Sequence, residues 1–576
     1  MSDVAEEVEV NAVEAAKLAS GFLKGEIPTE LANGDPFWSK DAIALLKHHG
    51  TYEQDDRDHR ADAKKAGAPG GKYFSMMIRT ALPGGRLSSD QLLTELDLCD
   101  QLGNGTLRIT TRQGLQLHGV LKSNLKETIA RINHAKMTTL AACGDVNRNV
   151  MASPVPMKHD GVYDEIHALA DRIAVHLRPK TPAYYELWLT NDETGEKTLA
   201  GGGAPADPFE IEPIYGAAYL PRKFKIAIGI PGDNSADVYA QDVGLVAVCE
   251  NHQVVGYNVI VGGGFGVTPS AAKTFVAVGQ EMCYASAADV IDVVTAIVKV
   301  QRDFGNRADR KTARLKYLIH DWGLDRFRQK VEEYFGGELE PLRDAPVTAY
   351  NDGMGWHEQG DGRWFYGLNV ENGRIKDEGD YRLKTALREV CTQLAPPLRL
   401  TPHQSILFCD LAAEDRPKLE GILRAHGVPL TEDFTNVRRW SIACPALPYC
   451  GLAVTESERY LPTIITQLEA ELTALGLEDE IFTTRMTGCP NGCARPYNAE
   501  VGLVGKTKGK YTVLLGGSRL GHRLNWIYQD LVPQDQVAAT LTPVLRYFKS
   551  ARQNGESFGD FCFRVGKDEL LANCSA

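Results

Sequence analysis

Four cysteines lie in two close pairs near the C-terminal end of the sequence. The segment CPALPYC places five residues between Cys444 and Cys450, and TGCPNGC places three between Cys489 and Cys493. Four thiolates that converge on one centre suit a structural zinc ion or an iron–sulfur cluster. The usual zinc ribbon has two residues between paired cysteines, so the spacing favours the cluster and leaves zinc as the alternative.

The other eight cysteines are scattered singly, which is too sparse for a disulfide framework. We expect each of them to be a small buried side chain or an inert thiol. Gly488 and Gly492 flank the second cysteine pair. A residue without a Cβ predicts that the backbone passes close to a bulky cofactor there.

A second group of residues is cationic and lies in the first half of the chain. Alternate residues of a strand share one face, so LRITTR and RKFK each point two cations the same way. A set of cations beside glycine turns, in a chain that is acidic as a whole, predicts a pocket that binds anions. Neutral hydrogen-bond donors nearby could also bind the anion. The cations are Arg79, Arg108, Arg112, Arg148, Lys223 and Lys225, and the neutral donors are Gln113, Gln116 and His118.

Other patterns do not complete a motif. The glycine-rich VGGGFGV at 261–267 has valine where a dinucleotide fingerprint needs its last glycine, and GKT at 505–507 lacks the first glycine of a P-loop. No flavin or nicotinamide fingerprint remains, so we expect the chain not to take electrons from NADPH itself. The basic segment 301–317 is interpreted as a solvated helix and linker.

Helical and strand-like segments alternate around these residues. Apolar residues recur at helical spacing in segments 38–50, 89–103, 163–177, 285–305, 381–395 and 456–476. Short β-rich runs occupy 106–110, 224–230, 245–251, 254–261 and 364–370, and 501–515 has the pattern of a hairpin.

An internal repeat organises these elements. RITTRQ at 108–113 and RLTPHQ at 399–404 share their arginine and glutamine spacing, and each follows a strand and a helix. The pattern predicts a mixed α+β fold of duplicated small and large modules with pseudo-two-fold symmetry and a site between the halves. The predicted divisions are an arm at 1–65, modules at 66–140 and 141–320, a linker at 321–345, and modules at 346–430 and 431–576.

Composition excludes several classes of protein. The chain has 576 residues, 43% of them hydrophobic and 24% charged, with a net charge of −12. Such a balance is typical of a folded protein of several modules and argues against nucleic-acid binding. The sequence has neither an apolar run long enough for a membrane span nor a targeting segment, so it predicts a cytoplasmic protein. Segment 50–71 is dense in charge and is interpreted as an extended, solvated arm.

The cysteine spacing, together with MTGCPNGCARPYNAEVGLVGK, YLPRKFK, RITTRQ and NRNV, resembles the sulfite and nitrite reductase family. Those enzymes hold a sirohaem and a [4Fe–4S] cluster between ferredoxin-like half-domains and larger domains. Within the family, the motifs most resemble haemoprotein β-subunits that work with an NADPH-oxidising flavoprotein. The resemblance implies an assimilatory reduction of sulfite to sulfide.

The resemblance also implies roles for individual residues. Cys444, Cys450, Cys489 and Cys493 would bind the cluster, and Cys493 would also be the axial ligand of the sirohaem iron. Arg79, Arg148, Lys223 and Lys225 would form the substrate face. Arg108, Arg112, Gln116, His118 and Asn491 would lie near the macrocycle and its carboxylates. Nitrite reductases tend to have asparagine at the position of Lys225, which favours sulfite here.

The electron donor implied by the resemblance is a diflavin reductase (flavoprotein α) subunit. A ferredoxin-dependent sulfite or nitrite reductase would share most of these motifs and is the alternative. The proline-rich PALPY between the first two cysteines and the N-terminal segment both depart from the family pattern.

Overall fold

A computed structural model describes residues 10–184, 188–190, 194, 197–199 and 207–574. Its α-helices are Ala12–Leu18, Ile27–Ala32, Lys40–Leu46, Arg60–Lys65, Ser89–Gln101, Leu125–His134, Val162–His176, Val290–Phe304, Leu315–Trp322, Leu324–Phe335, Leu383–Gln393, Arg416–Ala425, Asn436–Arg439, Leu461–Leu475, Val537–Ala551, Phe558–Val565 and Lys567–Cys574. None of the helices in these ranges is long and apolar enough to cross a bilayer.

Two small sheets correspond to the two copies of the repeat. In spatial order the first contains Thr51–Asp55, Phe74–Thr80, Leu115–Val120, Leu107–Ile109 and Arg374–Ile375, and the second contains Gly355–Glu358, Trp364–Leu368, Ile406–Leu411, Leu398–Leu400 and Arg86–Leu87. The last strand of each sheet comes from the other copy, because Arg374 pairs with Arg108 and Arg86 pairs with Arg399. The copies are therefore joined by strand exchange.

Equivalent glutamines show how closely the two copies correspond. Gln113 and Gln404 are both fully buried and both have positive φ, at 53° and 64°. The Gln113 side-chain oxygen accepts from the Ala152 backbone N–H at 3.0 Å, and that of Gln404 accepts from Ala443 at 3.1 Å. Each glutamine thereby fixes its small sheet to the first strand of the large sheet that follows it.

Two large sheets repeat one topology of parallel and antiparallel strands. In spatial order the first contains Met151–Ala152, Ile226–Gly229, Val243–Glu250, Gln253–Val261 and Gln280–Ser286, and the second contains Ser441–Ala443, Thr484–Thr487, Val501–Thr507, Lys510–Leu515 and Trp526–Pro533. In both, the first three strands run parallel and the remaining pairs are antiparallel. Two-stranded ribbons are formed by Trp188–Thr190 with Lys197–Leu199 and by Asp377–Glu378 with Tyr381–Arg382.

Three main apolar cores hold these layers together. The two small sheets share one core with their helices, and each large sheet has its own. Local signals agree with this packing: Ser88 and Gln91 form a capping box at the start of helix Ser89–Gln101, whose Leu92 and Leu96 are fully buried. The prediction of a mixed α+β fold with duplicated modules is confirmed.

The interpretation of 50–71 as an extended arm was wrong. Thr51–Asp55 pairs with Phe74–Thr80 as an edge strand of the first small sheet, and Arg60–Lys65 is a helix. Thr51 is fully buried, although charged residues surround it in the sequence. An edge strand is exposed to solvent along one side and can therefore be polar. A strand of this composition is not recognised from runs of apolar residues.

Two further interpretations were also wrong. Most of the segment 321–345 is not a linker, because Leu324–Phe335 packs against Val290–Phe304 through the fully buried Phe327 and Val331. The basic segment 301–317 is not a solvated face throughout, since Arg314 and Lys316 are buried whereas residues 302–312 are half-buried or exposed. The extended connection between the halves lies after Leu339.

A buried ion triad joins the two halves. Asp237, which precedes the third strand of the first large sheet, has no exposed surface and accepts from Arg485 at 2.8 Å and from the Arg495 Nε. Arg495 also donates to the Thr111 carbonyl at 2.9 Å and to the Pro402 carbonyl at 3.0 Å. Its side chain therefore touches the other large module and both small ones.

We predict that Asp237→Asn destabilises the assembled chain. The variant leaves two buried guanidinium groups without a counter-charge, which costs about 3–5 kcal/mol when a buried pair is broken. The exposed Asp62, whose carboxylate lies 3.9 Å from Lys65, offers a matched control with an expected change within about 0.5 kcal/mol. Thermal unfolding of both variants measures the difference, and equal midpoints would show that the triad does not hold the halves.

Candidate cofactor and anion site

The four clustered cysteines converge because they follow adjacent parallel strands. Strands Ser441–Ala443 and Thr484–Thr487 end at the same edge of the second large sheet. Cys444 follows the first strand directly, and Cys489 follows the second by one residue. These two are buried, whereas Cys450 is partly exposed and Cys493 is exposed.

The two cysteine loops, 444–455 and 487–493, pack closely against each other. The Gly488 N–H donates to the Cys444 sulfur at 3.3 Å, and the Asn491 amide donates to the Cys489 sulfur at 3.5 Å. A Cβ on Gly488 would lie 2.5 Å from the Thr455 carbonyl oxygen. The glycine is therefore required for contact between the two loops.

The thiols interact with one another electrostatically. Burial and, after it, the neighbouring Cys493 raise the pKa of the Cys444 thiol. The same two causes raise the pKa of the Cys489 thiol to about 12. The sulfurs therefore border one space, where bound metal would be needed to hold them as thiolates. No three His, Cys, Asp or Glu side chains within the described ranges are placed to hold a single metal ion. Four cysteines on two neighbouring loops are a ligand set that an iron–sulfur cluster takes.

The cations Arg79, Arg148, Lys223 and Lys225 lie close together, and Arg79 and Lys223 lie near Cys493. The Arg148 N–H donates to the Phe224 carbonyl at 2.8 Å, which sets segments 144–148 and 221–225 side by side. Burial opposes the charge of Arg79, but Cys143 and, to a smaller extent, Cys493 raise its pKa, and Cys493 also interacts electrostatically with Lys223. The anion pocket and the cysteine cluster are thus neighbours.

The two lysines are the unbalanced charges of this pocket. Among the residues that the structure describes, neither Lys223 nor Lys225 has a hydrogen-bond or ion-pair partner. Burial, followed by Arg222, lowers the pKa of Lys223 to about 7. Burial, followed by Arg314, also lowers the pKa of Lys225. A group with several carboxylates, such as sirohaem, together with an oxyanion substrate, fits a pocket that holds cations without counter-charges.

Neighbouring groups fix the two arginines of the set. The Arg79 guanidinium contacts the Cys143 sulfur at 2.9 Å. With the Gln116 amide turned to satisfy both groups, its oxygen accepts from the Arg79 Nε at 3.1 Å. The Arg148 Nε donates to the Gly144 carbonyl at 2.6 Å. Gln116 therefore orients a cation in this structure.

Arg108 and His118 lie behind the first cysteine loop. Arg108 donates to the Glu458 carboxylate at 2.8 Å and to the Ala443 carbonyl, next to Cys444, at 2.7 Å. The His118 ring packs on Tyr449 of that loop at 4.8 Å between centroids. Both side chains support the loop from the first small module.

Arg112 lies between the first small and first large modules. It donates to the Gln241 side chain at 2.7 Å and to the Asn149 carbonyl, while its Nε is buried without a partner among the described residues. Burial, followed by Arg148, lowers the pKa of Arg112. Its uncompensated charge adds to the positive potential of the pocket.

Sequence patterns missed a buried ion network at the back of the pocket. Lys17 has no exposed surface, and its ammonium contacts the Glu14 carboxylate at 2.6 Å and the Leu220 carbonyl at 2.6 Å. Although burial opposes ionisation, Lys17 and Arg310 hold the pKa of Asp145 well below its usual range. Asp145 and Leu220 lie at the starts of the two segments that carry Arg148, Lys223 and Lys225, so the N-terminal helix braces these segments. No sequence motif marks contacts between residues so far apart.

Comparisons with known proteins agree with this arrangement. The family model described as "Nitrite and sulphite reductase 4Fe-4S domain" matches residues 143–339, and the "Nitrite/Sulfite reductase ferredoxin-like half domain" matches 68–135 and 357–426. The four clustered cysteines lie in the second large module, outside these matches.

Curated relatives match nearly the whole chain. "Sulfite reductase [ferredoxin]" of Synechococcus elongatus is 45% identical over 99% of this chain and 92% of the relative. "Sulfite reductase [NADPH] hemoprotein beta-component" of Staphylococcus saprophyticus is 44% identical over 96% of this chain and 95% of the relative. The solved structure of the Mycobacterium tuberculosis NirA protein superimposes with a TM-score of 0.78 at 25% identity, with 98% of each chain covered.

We predict that Gly488→Ala weakens cluster binding. The added methyl group would force apart backbone and side-chain atoms of the two cysteine loops, at a cost of about 1–3 kcal/mol for overpacking. Gly451→Ala is the control, because a Cβ there meets no atom within 4 Å. Iron and acid-labile sulfide should fall in the first variant alone. Equal iron in both would mean that the loop contact does not shape the metal site.

Proposed function

The chain belongs to the nitrite and sulphite reductase family, and we propose that it reduces sulfite to sulfide. The observation that supports sulfite most directly is the pair Lys223 and Lys225, which has no hydrogen-bond or ion-pair partner among the described residues and of which Lys223 lies near Cys493. Sulfite takes up six electrons and eight protons to give hydrogen sulfide and three waters. A site for that reaction needs oxyanion-binding cations and proton donors at one place, next to a source of electrons.

The family's cofactors are sirohaem and a [4Fe–4S] cluster. We assign the cluster to Cys444, Cys450, Cys489 and Cys493, and the exposed Cys493, which lies next to the anion pocket, would also hold the sirohaem. When bound, the two groups supply electrons to the substrate one after another. The Asn491 amide donates to the Cys489 sulfur, and the Thr111 hydroxyl donates to the Cys493 carbonyl at 3.0 Å. Hydrogen bonds therefore hold both cysteines of the second loop in place.

The side chains of the pocket bind and orient the oxyanion. Planar guanidinium groups suit two oxygens at once, which favours Arg79 and Arg148 as the groups that orient sulfite. Both are held by fixed acceptors, Cys143 with Gln116 and the Gly144 carbonyl respectively. Substrate binding therefore requires little reorganisation of either side chain.

The lysines provide protons as each S–O bond breaks. Burial lowers the pKa of Lys223 to about 7, which matches proton donation at neutral pH, and an anion bound beside Lys223 would raise that pKa again. Lys223 is therefore protonated when the anion is present, and it can take up a proton again after each transfer.

Electrons come from a separate protein. The sequence has no flavin or nicotinamide fingerprint, and its relatives carry names that specify either ferredoxin or NADPH. The two candidate donors are a ferredoxin and a diflavin reductase subunit.

We expect Cys493→Ser to abolish sulfite reduction and to disturb both cofactors. Serine does not supply the soft thiolate that the cluster and the haem iron would share. Cys249→Ser is the control, because Cys249 is exposed and lies apart from the four clustered cysteines. Dye-driven turnover and the visible spectrum are the measurements, and normal turnover in Cys493→Ser would contradict the assignment.

Lys225→Asn should shift substrate preference toward nitrite. Loss of a proton donor should lower kcat/KM for sulfite by about 10²-fold. The kcat/KM for nitrite should fall less, because nitrite has fewer oxygens to remove. The ratio of the two kcat/KM values measures the shift. An unchanged ratio would mean that residue 225 does not set the preference.

A further inference from the structure

The Glu458 carboxylate lies between two arginines behind the first cysteine loop. It accepts from the Arg108 Nε at 2.8 Å and from two nitrogens of Arg374 at 2.6 and 3.0 Å. The two arginines come from the two small modules and face each other across the exchanged strand pair. The exposed fraction of each of the three side chains is 11% or less. This Glu458 triad, formed by Arg108, Glu458 and Arg374, therefore leaves one positive charge uncompensated.

Hydrogen bonds attach the Glu458 triad to the first cysteine. The Glu458 N–H donates to the Cys444 carbonyl at 3.1 Å, and Arg108 donates to the carbonyl of the preceding residue, Ala443, at 2.7 Å. The Asn372 amide donates to the Glu458 carbonyl at 3.1 Å. The carboxylate is thus held at a fixed position beside a proposed cluster ligand.

The internal repeat places a different residue at the equivalent position of the other copy. The residue after the glutamine-bonded alanine is Cys444 in one copy and Ser153 in the other. Glu458 and His167 follow these two residues by the same number of positions in the sequence. The copy with the clustered cysteines therefore has a carboxylate where the other copy has an imidazole.

The second arginine pair shows that the fold does not require this acid. Arg86 and Arg399 pair across the other exchanged strands, as Arg374 and Arg108 do. Arg399 lies 2.9 Å from the His167 ring nitrogen and has no ion-pair partner among the described residues, while Arg86 turns to the exposed Asp171. Strand exchange thus forms without a carboxylate between the arginines, and the acid accompanies the cysteines.

We propose that the Glu458 triad sets the reduction potential of the cluster, with Glu458 as the group that limits its positive charge. The inference rests on the proposed function, because it takes Cys444 as a cluster ligand. Net charge and hydrogen bonding around an iron–sulfur cluster are among the properties that determine its potential. Each electron adds one negative charge to the cluster, so a nearby carboxylate opposes reduction and a nearby guanidinium favours it.

The limit on positive charge matters because the cluster must give up each electron that it receives. Two uncompensated guanidinium groups would stabilise the reduced cluster and so retain the electron. With the carboxylate between them, one positive charge remains, and the reduced cluster is a stronger reductant.

The test measures the midpoint potential of the cluster in the cofactor-loaded enzyme, by redox titration followed by EPR. Glu458→Gln removes a negative charge and should raise the potential, whereas Arg374→Gln removes a positive charge and should lower it. Each variant should change the ratio of reduced to oxidised cluster at a fixed potential about tenfold, which is about 59 mV for one electron. The double variant restores the net charge and should lie close to wild type.

Glu469→Gln is the matched control. Glu469 pairs with Arg438 at 2.6 Å in the same large module, but Arg438 precedes the strand Ser441–Ala443 and Cys444 follows it. The variant therefore loses a carboxylate from an arginine pair at the other end of the strand. Its ratio of reduced to oxidised cluster should equal that of the wild type.

Iron and acid-labile sulfide are measured in every variant. If Glu458→Gln does not retain the cluster, the sign of the shift in Arg374→Gln decides. Unchanged potentials in the loaded variants, or shifts of the same sign in both single variants, would overturn the inference. Loss of the cluster from both would also overturn it, because the triad would then be a structural support.

Viologen-driven sulfite reduction by the wild-type enzyme is measured separately. A wild-type protein that holds a reducible cluster but forms no sulfide would overturn the proposed function, while the potentials would still decide the role of the triad. A wild-type protein without a reducible cluster would overturn both.

Discussion

The Arg495 guanidinium bonds to all three modules other than its own. It pairs with Asp237 of the first large module and donates to the Thr111 and Pro402 carbonyls of the two small ones. Arg495 lies two residues after Cys493, in a backbone conformation with φ of 55°. The bond that holds the halves together is thus made by the segment that carries the proposed shared ligand. Displacing the halves would displace the cysteine, and the site depends on that coupling.

Burial of positive charge then decides what the site can bind. Protein groups neutralise several cations nearby, as Glu458 does for Arg108 and Asp242 does for Arg314 at 2.7 Å. Among the described residues Lys223 and Lys225 have no such partner, and burial lowers the pKa of both because a buried charge without a counter-charge is costly. An anion that enters removes this cost. The pocket is therefore selective for anions before any particular substrate is considered.

Local sequence patterns predicted the repeat, most helices and the convergence of the four cysteines. These features depend on spacing within a few residues, or on one motif that occurs twice. The same patterns missed the strand at Thr51–Asp55 and the roles of Lys17, Arg310 and Arg314. In each case the deciding partner lies far away in the chain: Lys17 contacts Leu220, and Arg314 pairs with Asp242. A buried lysine and a solvated one look alike in a sequence, since only the fold supplies the counter-charge.

The most direct test of the account is dye-driven turnover by the chain purified from cells that synthesise sirohaem. Reduced viologen would supply electrons, and kcat/KM would be compared for sulfite and nitrite, with sulfide measured as product. The account predicts a coloured protein that prefers sulfite and forms one sulfide for every six electrons consumed. A clear preference for nitrite, or a colourless protein that holds zinc at the four cysteines, would contradict it.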